Sequence, residues 1–434
     1  MMFGMTRAIN NQTAATDDWR LRHVVRTVRE MSAQTDPQAM VRAYAARMGE
    51  MMPTDRMVSL SRRGLEYPQY RITRSSLWKQ AVNPWRQPDR LPLLSGGMLA
   101  EFIYSNEPHL IDELQVDDND PARTYLEDMG SLMALPLYDG GESLNMVVVM
   151  RKQAAAFERD KAADRLLTSN LFGRATHNLV LAGQLRDAYD EVDRELKVVA
   201  TMQRAMLPVG FPKTPTLDLA AYYRTSRRAG GDYYDFFPLD DNRLGLLVAD
   251  VSGHGTPAAV LMAVTRTIAH ATDAPRSEPM HMLRYVNTRL ATDYTCRSGQ
   301  FVTAFYGVYD PATRELAYAS AGHHPARVKR CADGSLFSLD RAQALPLGID
   351  SNEQYRQDGC ALQPADQLVV YTDGITEAEN PAGVQFGPDN LDRVLSDCAL
   401  QAAGLLQAVV DAVDTFTAQA PPEDDRTVLV AKIS

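Results

Sequence analysis

LGLLVADVSGHGTPAAVLMA, residues 244–263, decides how the second half of this chain folds. Its first eight residues form a nearly continuous apolar run, which is typical of a buried strand, and Asp250 lies near the end of that run. A glycine-rich turn follows, and Thr256 and Pro257 have the residue types of a helix N-cap and a first helical position. Apolar residues at helical spacing then continue to Ile268. The segment predicts a buried strand, a tight turn and a helix, with a carboxylate where the strand ends.

Three further aspartates occupy the same kind of position. Asp232 lies in AGGDYYDFF, Asp373 in VVYTDGITE and Asp424 in PPEDDRTVLV, each beside an apolar run. Acids at the ends of buried strands either point into one shared opening or form ion pairs or hydrogen bonds with neighbouring groups. Clustered carboxylates raise one another's pKa unless cations lie between them. Oxygen ligands of this kind suit Mg²⁺ or Mn²⁺. The pattern predicts a metal-dependent hydrolase of phosphate esters.

Each of these motifs alone is a weak signal. A turn explains any single aspartate, and the GGD letters of residues 230–232 also occur in nucleotidyl cyclases. The backbone carbonyl of Val251 offers a further oxygen beside Asp250, since hard cations accept carbonyl ligands. The recurrence of strand-end acids within residues 232–424 is what favours a site.

Length and composition bound the remaining possibilities. The chain has 434 residues, enough for two or three domains, and a formal net charge of −10. That charge disfavours nonspecific nucleic-acid binding. No apolar run approaches a membrane span, and no secretory signal is evident at the N-terminus. Four cysteines lack CxxC spacing, which favours a reducing, cytoplasmic compartment.

The order of predicted elements is α+β. Residues 1–18 are polar and predicted to be disordered, and helical patterns cover residues from Trp19 past Met31 and residues 37–51. Strand-like pieces follow, and residues 131–152 form a hairpin around Asp139-Gly140-Gly141. A helix follows from about Asp160. Beyond residue 215, the pattern predicts a hairpin over residues 301–322, a strand over 366–374, a helix over 402–419 and a final strand over 426–434.

The segment 183–208 is predicted to be a helical linker. Its apolar residues fall at heptad spacing between charged ones, and Pro208 ends the helix. The seam comprises Leu185, Tyr189, Val192, Leu196, Val199 and Met206. We expect a homodimer through this coiled coil. The alternative is a monomeric amphipathic helix packed on a domain.

The C-terminal part of the chain resembles a known family. Residues from about 200 to 434 look like the metal-dependent protein phosphatases of the PPM superfamily, in the branch of bacterial sigma-factor-regulator serine phosphatases. The stretches that carry the resemblance occur in order and include MQRAMLP, RRAGGDYYDFFPL, LLVADVSGHGTPAAVLMA, YASAGHHPA, VVYTDGITEAEN and DDRTVLVAKI. The resemblance implies, for residues 209–434, an α-β-β-α sandwich of two antiparallel sheets flanked by helices.

The same resemblance implies the site. Two divalent cations, Mn²⁺ or Mg²⁺, would be held by Asp232, Asp250, the Val251 carbonyl, Asp373 and Asp424, and the four aspartates would carry catalysis. Four further residues are candidates for an alternative or accessory role. Asp425 is the alternative to Asp424, Asp235 is expected to be an accessory acid, His254 is a candidate general acid or a surface histidine, and His323 is expected to make a structural hydrogen bond.

Residues 19–182 resemble a GAF sensor domain more loosely, on the stretch from Ser131 to Leu167. A PAS fold is the alternative, and a ligandless dimerisation module is as plausible as a ligand sensor. The input, a small molecule or a protein, is not indicated.

The whole pattern predicts a cytoplasmic serine/threonine protein phosphatase. The resemblance implies a phosphorylated signalling protein as substrate, typically a STAS-type anti-sigma-factor antagonist, with the sensor acting through the linker. Three rivals stay open: a catalytically inactive pseudophosphatase, a GAF-linked nucleotidyl cyclase and a small-molecule phosphatase. Neither nucleic acid nor membrane is expected as a partner.

Overall fold

The computed structural model describes residue 22 and residues 25–80, 82–271 and 275–434. The predicted disordered tail, 1–18, and the predicted helix start at Trp19 lie outside these residues. The chain divides into two compact units, residues 1–189 and 190–434. The predicted domain bounds at residues 182 and 208 stay a prediction.

The first unit is built on one antiparallel sheet. Residues 25–32 are helical. The elements that follow are helix α1 (Pro37–Met51), strands β1 (Arg56–Ser61), β2 (Gln69–Ser75) and β3 (Leu93–Ser95), helix α2 (Met98–Ser105), strand β4 (His109–Ile111), helix α3 (Arg123–Leu126), and strands β5 (Ser131–Asp139) and β6 (Glu142–Arg151). The strand order is β3-β2-β1-β6-β5-β4. The predicted strands and the hairpin around Gly140 are confirmed.

Each face of this sheet carries its own apolar core. Val58, Leu60 and Ile72 pack with helix α2 residues such as Leu99 on one face. On the other face, Tyr44 of α1 and Phe172 pack on residues of β5 and β6. Alternate residues of a strand point to opposite faces of the sheet, and helical residues three or four apart lie on one side of the helix. This spacing explains how the apolar residues divide between the two cores.

A single helix, α4 (Ala162–Arg204), contains 43 residues and runs through the division between the two units. The sequence predicted a helix from about Asp160 and a separate linker from 183, whereas the structure joins them. Among the seam residues, Leu185, Tyr189 and Val192 have 60%, 68% and 54% of their surfaces exposed. The pairing of this helix as a coiled coil stays a prediction.

The second unit contains two sheets and five further helices within its described residues. Its elements are β7 (Leu217–Arg224), β8 (Tyr233–Pro238), β9 (Leu244–Val251), α5 (Thr256–His270), α6 (Pro279–Leu290), β10 (Val302–Asp310), β11 (Glu315–Ala321), β12 (Ala326–Lys329), β13 (Leu336–Leu339), β14 (Gln343–Ala344), β15 (Asp358–Ala361), β16 (Gln367–Tyr371), α7 (Asp373–Thr376), α8 (Gly387–Val394), α9 (Ala402–Phe416) and β17 (Arg426–Ile433). One sheet has the order β14-β11-β10-β9-β8, with β15 beside β11, and the other has the order β13-β12-β16-β17-β7.

The elements form four layers, helices, sheet, sheet and helices, and an apolar core lies between each pair of adjacent layers. Helices α5 and α6 cover the outer face of the first sheet. Side chains such as Val248, Phe305, Val370 and Leu429 meet between the two sheets. Helices α8 and α9 cover the outer face of the second sheet. Because both faces of the central strands are buried, β9 and β17 read as continuous apolar runs. The predicted α-β-β-α sandwich is confirmed, with two sheets that are antiparallel except for the β11–β14 pair.

Two details differ from the sequence analysis. Thr256 is not the N-cap of helix α5 but its first residue, because Gly255 takes the cap position with φ 79°, a conformation that favours glycine. Cys331 and Cys398 form a disulfide bond, although the cysteine spacing favoured a reducing compartment. Across the described residues, no helix is long and apolar enough to span a bilayer.

Candidate functional site

The strand ends of both sheets of the second unit meet around Asp232. In the first sheet, Tyr233 of β8 pairs with Ala249 of β9, so Asp232 and Asp250 stand opposite each other one residue further on. In the second sheet, the Thr372 amide, just after β16, donates to the Thr427 carbonyl of β17 at 3.1 Å. The sequence placed these acids at strand ends, and the structure brings those ends together.

Two threonine hydroxyls connect the second sheet to Asp232. The Thr372 and Thr427 hydroxyls donate to Asp232 Oδ2 at 2.8 and 2.6 Å. Asp232 is 1% exposed, and its other oxygen, Oδ1, is buried with no hydrogen-bond partner among the described residues. A buried carboxylate oxygen without a donor is costly, so a cation would satisfy it.

The four predicted acids influence one another electrostatically. Burial raises the pKa of Asp250 most, and the negative charges of Asp232, Asp373 and Asp424 raise it further. Burial likewise raises the pKa of Asp232, although the hydroxyl of Thr427 opposes the rise. Burial also raises the pKa values of Asp373 and Asp424. The cluster therefore holds more negative charge than it can stabilise by itself at neutral pH.

Asp425, the alternative ligand, is already occupied. Its carboxylate accepts hydrogen bonds from the Gly231 amide at 2.6 Å and from the amide and hydroxyl of Ser226 at 2.8 and 3.2 Å. Asp424 is exposed and Asp425 is buried. This arrangement favours Asp424 as the free carboxylate and gives Asp425 a structural role.

Gly231 holds the loop close to β9. A Cβ added at this glycine would lie 2.8 Å from the carbonyl oxygen of Val251. Any other residue would therefore push the loop away from the carbonyl that the sequence analysis named as a ligand. The absence of a side chain at Gly231 therefore lets this loop approach the end of β9 closely.

Two histidines are candidate accessory residues of the site. His323 is buried, and its Nδ1 and the Thr303 hydroxyl lie 2.9 Å apart, with Thr303 paired across the sheet with Asp250. This is the structural hydrogen bond that the sequence favoured. His254 is exposed, and it opposes the rise that burial causes in the pKa of Asp424. Its role as a general acid stays a prediction.

Asp235 belongs to a different contact set. Its carboxylate accepts from the Tyr233 hydroxyl and lies 2.7 Å from His270 Nε2 at the end of helix α5. It was expected as an accessory acid beside the site, but the structure ties it to His270 instead.

Four residues that hold this site together were not predicted from the sequence: Thr372, Thr427, Ser226 and Gln203. Thr372 and Thr427 are polar residues beside or within apolar strands, which is a signal that could have been read. Gln203 gives no such signal, because its partner is a backbone group 27 residues away.

The donor set is all oxygen, which suits Mg²⁺ or Mn²⁺. Among the described side chains, however, no three His, Cys, Asp or Glu groups already stand as a closed metal cage. Ligation by all four aspartates would therefore require some side chains to move inward. Asp424, being exposed, has room to do so.

The second unit is therefore a four-layer sandwich with aspartates at the strand ends of both sheets and one buried carboxylate, Asp232, between those sheets. Residues 240–434 match the family described as Stage II sporulation protein E (SpoIIE). This match agrees with the resemblance seen in the sequence for the same part of the chain.

Two curated proteins and one solved structure are similar to this chain. The chain is similar to phosphoserine phosphatase RsbU of Bacillus subtilis, with 29% identity over 205 residues, covering 47% of this chain and 60% of RsbU. It is also similar to phosphoserine phosphatase RsbP of the same organism, with 24% identity over 188 residues, covering 42% of this chain and 45% of RsbP. Among solved structures, the SiaA-PP2C domain of Pseudomonas aeruginosa matches with 21% identity and a TM-score of 0.49, covering 57% of this chain and 99% of that domain.

Proposed function

We propose that this protein is a metal-dependent serine/threonine protein phosphatase. The catalytic domain comprises residues 209–434, a GAF-like sensor comprises residues 19–182, and residues 183–208 act as the helical linker between them. The substrate is a phosphorylated signalling protein, a STAS-type anti-sigma-factor antagonist, and the activity is cytoplasmic. The similarity to two phosphoserine phosphatases, RsbU and RsbP, supports the reaction class.

One observation carries this proposal. Asp232 and Asp250 face each other at the meeting point of two sheets, and Asp232 Oδ1 has no donor among the described residues. A structural pair of acids would be satisfied by neighbouring donors, as Asp425 is. The unsatisfied oxygen instead fits a site that binds cations.

The residues of the site would have two roles, to bind metal ions and to position the metal-binding side chains. Asp232, Asp250, Asp373 and Asp424, with the Val251 carbonyl, would hold two Mn²⁺ or Mg²⁺ ions. Bound ions of this kind supply the charge that lowers the pKa of water and neutralises phosphate oxygens. Thr372 and Thr427 fix the orientation of Asp232, and Asp425 fixes the loop that carries it.

Positive charge beside the acids suits a phosphorylated substrate. Arg227, Arg228 and His254 line an open depression together with Ser226 and Pro257. Ser226 also donates to Asp425, so this depression adjoins the loop that precedes Asp232. Arginine recognises phosphate well because its planar group offers several donors.

The end of helix α4 contacts the same loop, which supports regulation through the linker. The Gln203 amide donates to the Gly230 carbonyl at 2.6 Å and accepts from the Gly230 amide at 3.1 Å. Arg228 also pairs with Asp193 of this helix at 2.8 Å. A shift of the helix end would therefore displace the residues immediately before Asp232.

The exposed seam supports dimerisation through the linker. Leu185, Tyr189 and Val192 present apolar surface that a second copy of the helix would cover. Leu196 is different, because it lines the depression beside His254 within its own chain. We therefore assign the dimer contact to the N-terminal half of the predicted seam.

The test uses the full chain in Mn²⁺. Phosphate release from a phosphoserine-bearing STAS protein is compared with hydrolysis of p-nitrophenyl phosphate, and Asp373→Asn and Asp425→Asn are measured beside the wild type. The proposal predicts metal-dependent release from the protein substrate and its loss in Asp373→Asn with the fold kept.

Each rival has its own outcome in this assay. Turnover of the small ester without turnover of the protein would support a small-molecule phosphatase. No turnover of either substrate by the wild type would support the pseudophosphatase, and pyrophosphate release from ATP or GTP would support the cyclase.

A further inference from the structure

The first unit contains a cavity on the sheet face that helices α1 and α4 cover. Its volume is about 300 Å³, which is at the small end for ligand sites and corresponds to about ten water-sized groups. Tyr44 and Phe172 of the two helices and Met57 of strand β1 line its apolar part.

Strands β1 and β2 give this cavity a polar floor. Over β5 and β6 the same sheet face carries apolar residues such as Met133 and Val147. On β1 and β2 it carries Ser59, Ser61 and Thr73 instead. All three residues are half-buried, and the hydroxyls of Thr73 and Ser61 donate to the backbone carbonyls of Ser59 and Leu144 at 3.1 and 3.5 Å. This part of the sheet face is therefore more polar than the part over β5 and β6.

A β-bulge aims Arg74 at the cavity. Leu60 of β1 pairs with Ile72 of β2, but Ser59 pairs with Arg74, so residue 73 is an insertion in the ladder. Without the bulge, Arg74 would point to the opposite face, since strand side chains alternate. Bulges often re-aim a side chain toward a functional site.

Arg74 also lacks a counter-charge. Its guanidinium hydrogen-bonds at 3.4 Å to the neutral amide oxygen of Gln38 and lies 5.4 Å from the centre of the Trp85 ring. Nearby Arg71 bonds to backbone carbonyls at 3.3 and 3.4 Å. Neither arginine forms an ion pair within the described part of the chain.

The cavity as a whole is cationic in an acidic protein. Four arginines line it, against one carboxylate, Asp139, and that carboxylate already pairs with Arg63 and Arg174. Burial lowers the pKa of Arg74, which reflects the cost of holding this charge without a partner. An anion would offset that cost.

We propose that this cavity binds a small organic anion, in which a carboxylate or phosphate group meets Arg71 and Arg74 and an aromatic or aliphatic body lies against Trp85, Tyr44 and Phe172. The planar arginine group matches both acids, and the cavity has room for one ring and a short chain. This binding is independent of the catalytic proposal, because it concerns the first unit alone.

The test is calorimetric titration of the full chain with four probes: indole-3-acetate, phenylacetate, phenyl phosphate and indole-3-acetamide. We expect at least one anion to bind and the neutral amide to bind about tenfold more weakly or worse, because a charged hydrogen-bond pair is lost. Comparison of the two carboxylate probes with phenyl phosphate shows which of the two anionic groups the cavity prefers.

Three variants complete the design. Arg74→Gln keeps the volume and removes the charge, Ser59→Phe keeps the charge and fills the volume, and Arg123→Gln removes an exposed arginine that pairs with Asp118. The first two should weaken binding about tenfold or more, and the third should not change it. Circular dichroism checks that each variant is folded.

The proposal is overturned if no anion binds the wild type, if the amide binds as well as the acid, or if Arg74→Gln binds like Arg123→Gln. If Arg74→Gln fails to fold, Ser59→Phe and the amide comparison still decide the result.

Discussion

Gln203→Ala tests the contact between helix α4 and the loop before Asp232. The wild-type side chain hydrogen-bonds both the backbone amide and the backbone carbonyl of Gly230, and Gln203 is 4% exposed. Alanine leaves a buried N–H and a buried carbonyl unpaired, at a cost of about 1–3 kcal/mol each before water or backbone movement offsets part of it. We expect a net loss of about 2 kcal/mol or more.

This loss should appear in two measurements. For a unit of this size, about 2 kcal/mol lowers Tm by roughly 4–8 °C. Because the same loop positions Asp232, the Mn²⁺ concentration for half-maximal activity should rise about threefold or more, as expected for a coupling energy of about 0.6 kcal/mol or above. Thermal unfolding and phosphatase assays in an Mn²⁺ series measure both effects.

Met202→Ala is the matched control, because Met202 is the preceding residue of the same helix and is exposed. Gln203→Glu separates the two bonds, since it keeps an acceptor for the Gly230 amide but places a carboxylate against the Gly230 carbonyl. If Gln203→Ala matches Met202→Ala in both Tm and Mn²⁺ dependence, the proposed coupling between the helix and the site is refuted.

Three further changes test other parts of the structure. Asp250→Asn should raise the Tm of the metal-free protein, because it removes a charge whose pKa is raised by burial and by its acidic neighbours; an unchanged or lower Tm would contradict the electrostatic description. Burial lowers the pKa of His323 to about 3, so below about pH 6.5 the unfolded chain takes up a proton that the folded chain does not, and stability falls as pH falls. His323→Gln should therefore reduce the loss of stability between pH 7 and pH 5 by about 2 kcal/mol in urea unfolding, and an identical loss would show that His323 does not titrate this way. Leu185→Asp should shift sedimentation from dimer to monomer, with the exposed Leu345→Asp as control, and equal sedimentation of the two would exclude the linker contact.

Much of the fold was predictable because burial leaves a simple pattern. Strands β9 and β17 are covered on both faces, so their apolar runs stand out, and the hairpin of β5 and β6 shows its turn residues. The boundary of helix α4 was missed because heptad spacing and ordinary helical spacing differ little over a few turns. The extra residue in β2 was equally hidden, since a bulge changes pairing without changing composition.

The candidate site was predictable only as a set of acids. The positions of the aspartates beside apolar runs could be recognised from the sequence. Their hydrogen-bond partners could not, because these depend on the register of strands in two sheets. That Thr427 reaches Asp232 follows from the packing of β17 against β8, which local sequence does not encode. The choice between Asp424 and Asp425 depended in the same way on the distant amides of Ser226 and Gly231.

The most direct measurement is calorimetric titration of the metal-free full chain with Mn²⁺, with Asp250→Asn and Asp235→Asn measured in parallel. We predict two ions bound per chain in the wild type, unchanged stoichiometry in Asp235→Asn, whose carboxylate pairs with His270, and loss of at least one ion in Asp250→Asn. Wild-type binding by Asp250→Asn, or no binding by the wild type, would contradict the claim that these strand-end aspartates form a metal centre.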